Sequence, residues 1–142
     1  MNAAALVYPM FAMVVLSAIV LVKLFRSRVA AVRAGSVSAQ FFRIYQGAAE
    51  PEASAKAARH FSNLFEAPTL FYAVCLAAML VGDTSMPMVV LAWLYVAVRM
   101  VHAYVHLGAN RLRHRVRAYF ASWLVLFALW VHLVVHVALR AG

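Results

Sequence analysis

The chain has 142 residues, of which 67% are hydrophobic and 12% are charged, and its mean hydropathy is +0.86. A soluble domain is usually about half apolar and about one-quarter charged, so the composition excludes a water-soluble globular protein with one small core. The formal net charge of +9 would also suit a nucleic-acid binder. However, the cations cluster in loops between apolar stretches, which membrane topology and anionic lipid headgroups explain better.

Four apolar stretches are each long enough to cross a bilayer as a helix, which takes about 20 residues. The first one lacks the charged start and the cleavage site of a signal peptide, so we interpret it as a retained span. Backbone groups inside lipid must be paired within their own segment, which favours helices. We therefore predict an all-α membrane protein, an antiparallel four-transmembrane-helix bundle in a single domain 1–142. The predicted spans are about 6–25, 61–81, 86–107 and 118–139.

The connections between the predicted spans differ in length and charge. The first, 26–58, is long, polar and basic, and its stretch Glu50–Ser54 resembles a turn followed by a helix start. The second, Gly82–Pro87, is a tight turn that would make spans two and three antiparallel neighbours. The third, Gly108–Arg117, is short and strongly basic. Because Lys and Arg accumulate in cytoplasmic loops, we expect both basic loops inside a bacterial inner membrane and both termini outside.

Span two begins with three polar side chains in an apolar sequence. Arg59, Asn63 and Glu66 are spaced i, i+4, i+7, so one continuous helix would place them within about 60° of each other. A charged group inside the bilayer costs about 2.5–3.5 kcal/mol even on the lowest scales, so such groups usually face protein or a wet cavity.

Span three carries a second polar stripe, at the same depth because the two spans are antiparallel. Its members are Tyr95, Arg99, His102 and His106. With Arg115 from the third loop, the two stripes predict a cationic pocket that suits a polar anion and an apolar co-substrate from lipid. The alternative interpretation is structural, since Glu66 could pair with Arg99 or Arg59 and simply lock the helices together.

The remaining polar residues are less informative. His132 and His136 have the i, i+4 spacing of metal ligands, but we expect no carboxylate near them, so a position at the membrane interface is favoured. His60 and His114 are expected to be solvated at the rim. Cys75 is the single cysteine, which excludes an intrachain disulfide. No metal site is predicted.

The polar motif of span two identifies a family. The pattern R-x-x-x-N-x-x-E at Arg59–Glu66, followed by Ala-Pro and an aromatic-rich run, resembles the second helix of the MAPEG family, the membrane-associated proteins in eicosanoid and glutathione metabolism. The segment Arg99–Tyr119 resembles the corresponding segment of prostaglandin E synthase-like members without a gap. The matching positions there are Arg99, His102, Arg111, Arg115 and Tyr119.

The resemblance implies a homotrimer of four-helix protomers, with glutathione as co-substrate bound near the cytoplasmic side. It implies glutathione-binding roles for Arg59, Asn63, Glu66, Arg99, His102 and Tyr119. It also implies that Arg115 stabilises the thiolate, because a nearby cation lowers the pKa of a thiol. Where eicosanoid-type members carry a tyrosine that contacts glutathione, this chain has His106, whose imidazole could donate to a thiolate or act as a base.

Two functions from different classes remain open at this point. The first is a glutathione-dependent transferase or peroxidase that acts on lipophilic electrophiles at the inner leaflet, with Arg115 and His106 as catalytic residues. The second is a non-catalytic membrane scaffold or lipid-binding module, in which the polar stripes are structural ion pairs. A transporter or channel subunit is disfavoured, because the sequence shows no repeated halves.

Overall fold

A computed structural model describes residues 4–47 and 49–141, so residues 1–3, 48 and 142 of the predicted domain lie outside the described residues. Within those ranges all regular structure is helical. The helices are α1 (Ala4–Arg33), α2 (Phe41–Ile44), α3 (Glu52–Asn63), α4 (Ala67–Leu80), α5 (Met86–Leu107) and α6 (Leu112–Ala141). Four stretches are long and apolar enough to cross a membrane: α1, the α3–α4 pair, α5 and α6. The prediction of an all-α, four-helix membrane protein is confirmed.

The first and last helices extend further than the sequence suggested. α1 and α6 have 30 residues each. At about 1.5 Å per residue each is about 45 Å long, against a hydrocarbon core of about 30 Å. Helical structure continues through the basic residues because Arg, Ala and Leu are good helix formers. As a result, Arg113, Arg115 and Arg117 belong to the first turns of α6, and the third loop is shorter than predicted.

The second membrane segment is broken, contrary to the expected continuous helix from Arg59 to Glu66. α3 ends at Asn63 and α4 begins at Ala67. Pro68 explains the break, because inside a continuous helix its ring would clash with the carbonyl of Leu64. Placed in the first turn of α4, the same proline is tolerated. Glu66 therefore precedes α4 with non-helical backbone angles of φ −91° and ψ −97°.

The four membrane segments pack around one apolar core. α5 packs along α6, α1 packs against α3, α4 and α5, and α4 also contacts α6. The rings of Phe71 and Tyr95 stack with their centroids 4.5 Å apart and join α4 to α5. Outward-facing side chains are also apolar, as shown by Leu124 and Phe127, which are 72% and 69% exposed. Such a surface is stable only against lipid or another apolar surface.

A second, smaller apolar cluster joins α2 to the end of α1. It contains Ala31, Val37 and Phe41. Arg28 lies over the ring of Phe42, 5.2 Å from its centroid, and donates to the hydroxyl of Tyr45. The predicted long polar loop is thus partly folded onto α1, and Arg28 is engaged in this cluster.

The turn between α4 and α5 contains a buried carboxylate that contacts two histidines of α6. Asp83 Oδ2 lies 3.3 Å from His132 Nε2, and Asp83 Oδ1 lies 3.7 Å from His136 Nδ1. The expectation that these histidines have no carboxylate nearby was therefore wrong, because the fold brings a turn about fifty positions earlier in the chain against the end of α6. Ser85 Oγ also contacts His132 Nε2, at 3.1 Å. Ser85 and Asp83 thus contact the same ring nitrogen of His132, Nε2. In a catalytic triad the nucleophile and the acid contact opposite ring nitrogens, so this arrangement is not a triad.

The environment of Asp83 favours its ionised form. Burial by itself would raise the pKa of this carboxyl. Hydrogen bonds from Ser85 and the charges of His136 and His132 outweigh burial and lower the pKa below its ordinary value of 3.8. The ionised carboxylate therefore stabilises the contact between the α4–α5 turn and α6.

We predict that Asp83→Asn lowers the free energy of unfolding at neutral pH by about 1–3 kcal/mol, as expected for loss of a charged hydrogen-bonding group. The pKa of Asp83 is depressed in the folded state, so its contribution is present above about pH 3.8 and is lost as the pH falls through the folded-state value. In thermal unfolding of the detergent-solubilised protein, the difference in melting temperature between wild type and variant should disappear below that pH. Glu52→Gln is the control, because the exposed Lys56–Glu52 pair should contribute little. Equal melting temperatures at neutral pH would contradict the assignment.

Candidate functional site

A cavity of about 470 Å³ opens among α3, the start of α4, the end of α5 and the start of α6. Its lining combines cations, amide, carboxylate, imidazole and apolar groups. The lining residues are Arg59, Ser62, Asn63, Glu66, His102, His106, Arg115, Val116, Tyr119 and Phe120. The structure thus brings together every residue of the predicted site except Arg99, which lies outside the wall.

The helix break shapes the polar wall of this cavity. Asn63 is the last residue of α3, and Glu66 lies between the two helices. Both still line the cavity with Arg59, although they no longer share one helix. In residues 4–47 and 49–141, the ion pairs within 4 Å are Lys56–Glu52 and Asp83 with its two histidines. In these ranges Glu66 therefore forms no ion pair within 4 Å with Arg59 or Arg99, and it lines the cavity.

Arg115 reaches the cavity from the first turn of α6 and is oriented by Asn110. Its Nη1 donates to Asn110 Oδ1 at 3.1 Å. Asn110 adopts a left-handed conformation with φ +48°, which asparagine tolerates better than most residues, and its N–H bonds to the carbonyl of Val105 at 2.9 Å. Asn110 was missed in the sequence. The only available signal was an asparagine placed after Gly108, where helices commonly end.

The polar stripe of α5 forms the buried floor, as the helical spacing predicted. Tyr95 and Arg99 are fully buried, and His102 and His106 are 1% and 2% exposed. Arg99 Nη2 donates to the carbonyl of Asn63 at 3.0 Å. The Nε and Nη1 atoms of Arg99 and the hydroxyl of Tyr95 have no hydrogen-bond partner among residues 4–47 and 49–141. Arg99 thus lies behind the wall, with part of its hydrogen-bonding capacity unused.

His60 is a third histidine in this floor, which corrects the expectation that it is solvated at the rim. Its side chain is fully buried, and its ring centroid is 5.2 Å from that of His102 and 5.0 Å from that of His106. It shares the buried face of α3 with Ser54 and Ala57, spaced three residues apart. That stripe of small residues was the available signal, since it marks the face that packs against neighbouring helices. His114, by contrast, is exposed as expected.

One edge of the cavity is apolar and continues onto the outer surface of the bundle. Val116 and Phe120 line the cavity and are 40% and 62% exposed. Phe120 lies one helical turn before Leu124 on the outward face of α6. An apolar ligand could therefore reach the polar wall directly from the surrounding lipid.

In the described part of the chain, no group of three or more His, Cys, Asp or Glu side chains could hold a metal ion.

The sequence model of the MAPEG family matches residues 5–135. The chain belongs to the MAPEG family. Neither a search of curated proteins nor a search of solved structures found a match. The whole cavity of this MAPEG protein, from Arg59 to Phe120, falls inside the matched region.

We predict that Arg99→Met leaves the free energy of unfolding unchanged or raises it. The substitution removes one hydrogen bond, worth about 1–3 kcal/mol. It also removes a buried cation with two unpartnered nitrogens, whose desolvation costs several kcal/mol at least. Thermal unfolding in detergent measures the difference, with the exposed Arg111→Met as control. A loss of more than about 2 kcal/mol would instead identify Arg99 as a structural tie between α5 and α3.

Proposed function

We propose that this MAPEG protein is a glutathione-dependent transferase or peroxidase that acts on lipophilic electrophiles. The observation that carries the proposal is the combination, in one cavity, of an unpaired carboxylate, two cations and an edge open to lipid. Glutathione has the complementary groups, namely an ammonium, two carboxylates and a thiol. The cavity volume of about 470 Å³ lies in the usual range for small-molecule sites, about 300–1,000 Å³.

Each polar group of the cavity has a role in this proposal. The Glu66 carboxylate accepts hydrogen bonds from the ammonium of glutathione, and the Arg59 guanidinium binds a carboxylate. Asn63, His102 and Tyr119 offer further hydrogen bonds. Arg99 does not itself line the cavity, so it acts through its charge and through the backbone of Asn63, a lining residue to which it donates a hydrogen bond.

The chemical step requires a thiolate, since the thiolate and not the thiol is the nucleophile. The Arg115 guanidinium favours the ionised sulfur by direct electrostatic attraction, and Asn110 holds the guanidinium in position. His106 lines the cavity and can take the proton that the thiol loses. The thiolate then attacks an electrophile that has entered past Phe120. With a lipid hydroperoxide, the thiolate would attack an oxygen, and a second glutathione would complete reduction to alcohol, water and disulfide.

The same proposal includes the setting of the protein. Both basic connections face the cytoplasm of a bacterial inner membrane, both termini lie outside, and three copies form a homotrimer. The cation bias of the loops supports the orientation. Labelling of single introduced cysteines from either side of the membrane would test it, and the mass of the detergent complex would test the assembly.

The competing function is a scaffold or lipid-binding module. The observation in its favour is that the cations of the cavity adjoin a lipid-facing edge, where a lipid headgroup could bind. The two functions predict opposite effects of the Glu66 charge on ligand binding. A carboxylate that faces the cavity attracts the ammonium of glutathione, but it would repel the phosphate of an anionic lipid.

We predict that glutathione raises the melting temperature of the purified protein, because a ligand that binds only the folded state stabilises it by about 2.7 kcal/mol at a hundredfold excess over Kd. Glu66→Gln should weaken this binding about tenfold or more, as expected for the loss of a charged hydrogen bond. An analogue of glutathione without the α-amino group should bind wild type and Glu66→Gln equally. Glu52→Gln is the matched control. No thermal shift with glutathione at saturating concentration would refute the proposal and favour the scaffold.

We predict that Arg115→Ala lowers the rate of glutathione conjugation to a generic electrophile about tenfold to a hundredfold, since a charge-assisted hydrogen bond contributes about 1.5–3 kcal/mol. The measured rate with saturating glutathione separates this effect from weaker binding. Arg113→Ala removes an exposed cation from the same turn that does not line the cavity, so it should retain the rate. Equal rates for the two variants would exclude Arg115 from thiol activation.

A further inference from the structure

Three histidines form one buried layer beneath the cavity, and the proposed glutathione chemistry assigns a role in proton transfer to only one of them. The ring centroid of His60 lies 5.2 Å from His102 and 5.0 Å from His106, and the latter two are 5.7 Å apart. All three side chains are at most 2% exposed. We call this group the imidazole cluster (His60, His102 and His106).

The hydrogen-bonding capacity of the imidazole cluster is largely unused. Both ring nitrogens of His60, and Nδ1 of His102 and of His106, are buried without a hydrogen-bond partner in the part of the chain that the structure describes. A neutral imidazole has one donor nitrogen and one acceptor nitrogen, so each ring retains a lone pair that can accept a proton. Buried polar atoms are seldom left unpaired in folded proteins, and four of them in one layer indicate a role beyond packing.

The charged groups around the cluster are cationic. Arg59 and Arg115 line the cavity together with His102 and His106, and Arg99 precedes His102 by about one turn of α5. The phenol ring of Tyr119 lies 5.8 Å from His102, centroid to centroid, and the Tyr95 hydroxyl is one turn below Arg99. Glu66 is the one carboxylate that lines the cavity, and in the described residues no carboxylate lies within 4 Å of the cluster. An anionic ligand in the cavity would offset the positive charge of these cations.

We infer that the imidazole cluster accepts the proton which a bound thiol loses, so that the thiolate forms without proton release to solvent. This inference rests on the proposed function, and it extends that function by assigning His60. The S–H bond breaks and an N–H bond forms on His106, which lines the cavity. The resulting imidazolium lies next to the rings of His60 and His102, which can accept its N–H as charge-assisted hydrogen bonds.

The cluster holds one added proton at a time, because the ring centroids are only 5.0–5.7 Å apart and a second imidazolium would repel the first. His60 touches no ligand, so it is a positioning residue that shares the proton held by its neighbours. When the thiolate adds to an activated alkene, the carbanion that forms takes the proton back. The cluster is then neutral again, and the net reaction is addition of the thiol across the double bond.

The test compares two quantities in the same sample, the thiolate formed and the protons released. Purified protein in weakly buffered detergent solution at neutral pH is mixed with glutathione. Ultraviolet absorbance reports the thiolate, and a pH indicator reports the protons. We expect wild type to form thiolate with far fewer protons released than thiolates formed. His60→Gln should release protons in numbers that approach the thiolates formed, and its thiolate should appear only at higher pH.

Two controls separate the cluster from other histidines and from ligand binding. His114→Gln removes an exposed histidine of α6 outside the cavity and should behave like wild type. S-methylglutathione has no thiol proton, so it should cause neither thiolate absorbance nor proton release. If His60→Gln does not fold, the wild-type stoichiometry still decides, and His102→Gln serves as the second variant.

One proton released per thiolate in wild type would overturn the inference, and so would glutathione binding without any thiolate. Failure of the proposed function looks different. In that case glutathione causes no thermal shift and no thiolate absorbance, and the inference falls together with the function on which it rests.

Discussion

The need to pair backbone groups inside a bilayer governs the structure around the helix break. Pro68 ends α3 early, and the carbonyls near the break must find other partners. The Asn63 carbonyl accepts from Arg99 Nη2, and the Phe65 carbonyl accepts from the hydroxyl of Thr69 at 2.6 Å. The N–H groups of Leu64 and Phe65 bond three residues back, to Phe61 and Ser62. These bonds satisfy part of the backbone that the helix break would otherwise leave unpaired.

The same bonds couple the fold to the cavity. Because α3 and α4 are separate, Glu66 has non-helical backbone angles, and it lines the cavity beside Asn63. Arg99 supports the break from behind, although its burial is costly because no carboxylate of the described residues lies within 4 Å of it. A hydrophobic residue at that position would pack α5 without the desolvation cost of a buried cation. The presence of a buried guanidinium beside three imidazoles is therefore better explained by a role in the cavity than by a contribution to the stability of the helix bundle.

Hydrophobicity and polar spacing were sufficient to predict the architecture and most of the cavity. The stripe from Tyr95 to His106 follows helical periodicity on an unbroken helix, so its buried face could be predicted residue by residue. Three features could not be predicted in this way. The effect of Pro68 depends on whether neighbouring groups can satisfy the freed carbonyls. The burial of His60 depends on how α3 packs against α5, and the contact of Asp83 with His132 depends on tertiary packing across the bundle.

The position of Phe120, half in the cavity and half on the outer face of α6, has a consequence for how an apolar compound would encounter this protein. Such a compound first dissolves in the bilayer and then diffuses laterally in two dimensions. The concentration that matters at the cavity is then its mole fraction among the lipids, which at equilibrium is the product of its partition coefficient and its aqueous concentration. For a compound that resides mainly in the bilayer, adding lipid at constant total compound would lower this mole fraction, and the compound would meet the cavity less often.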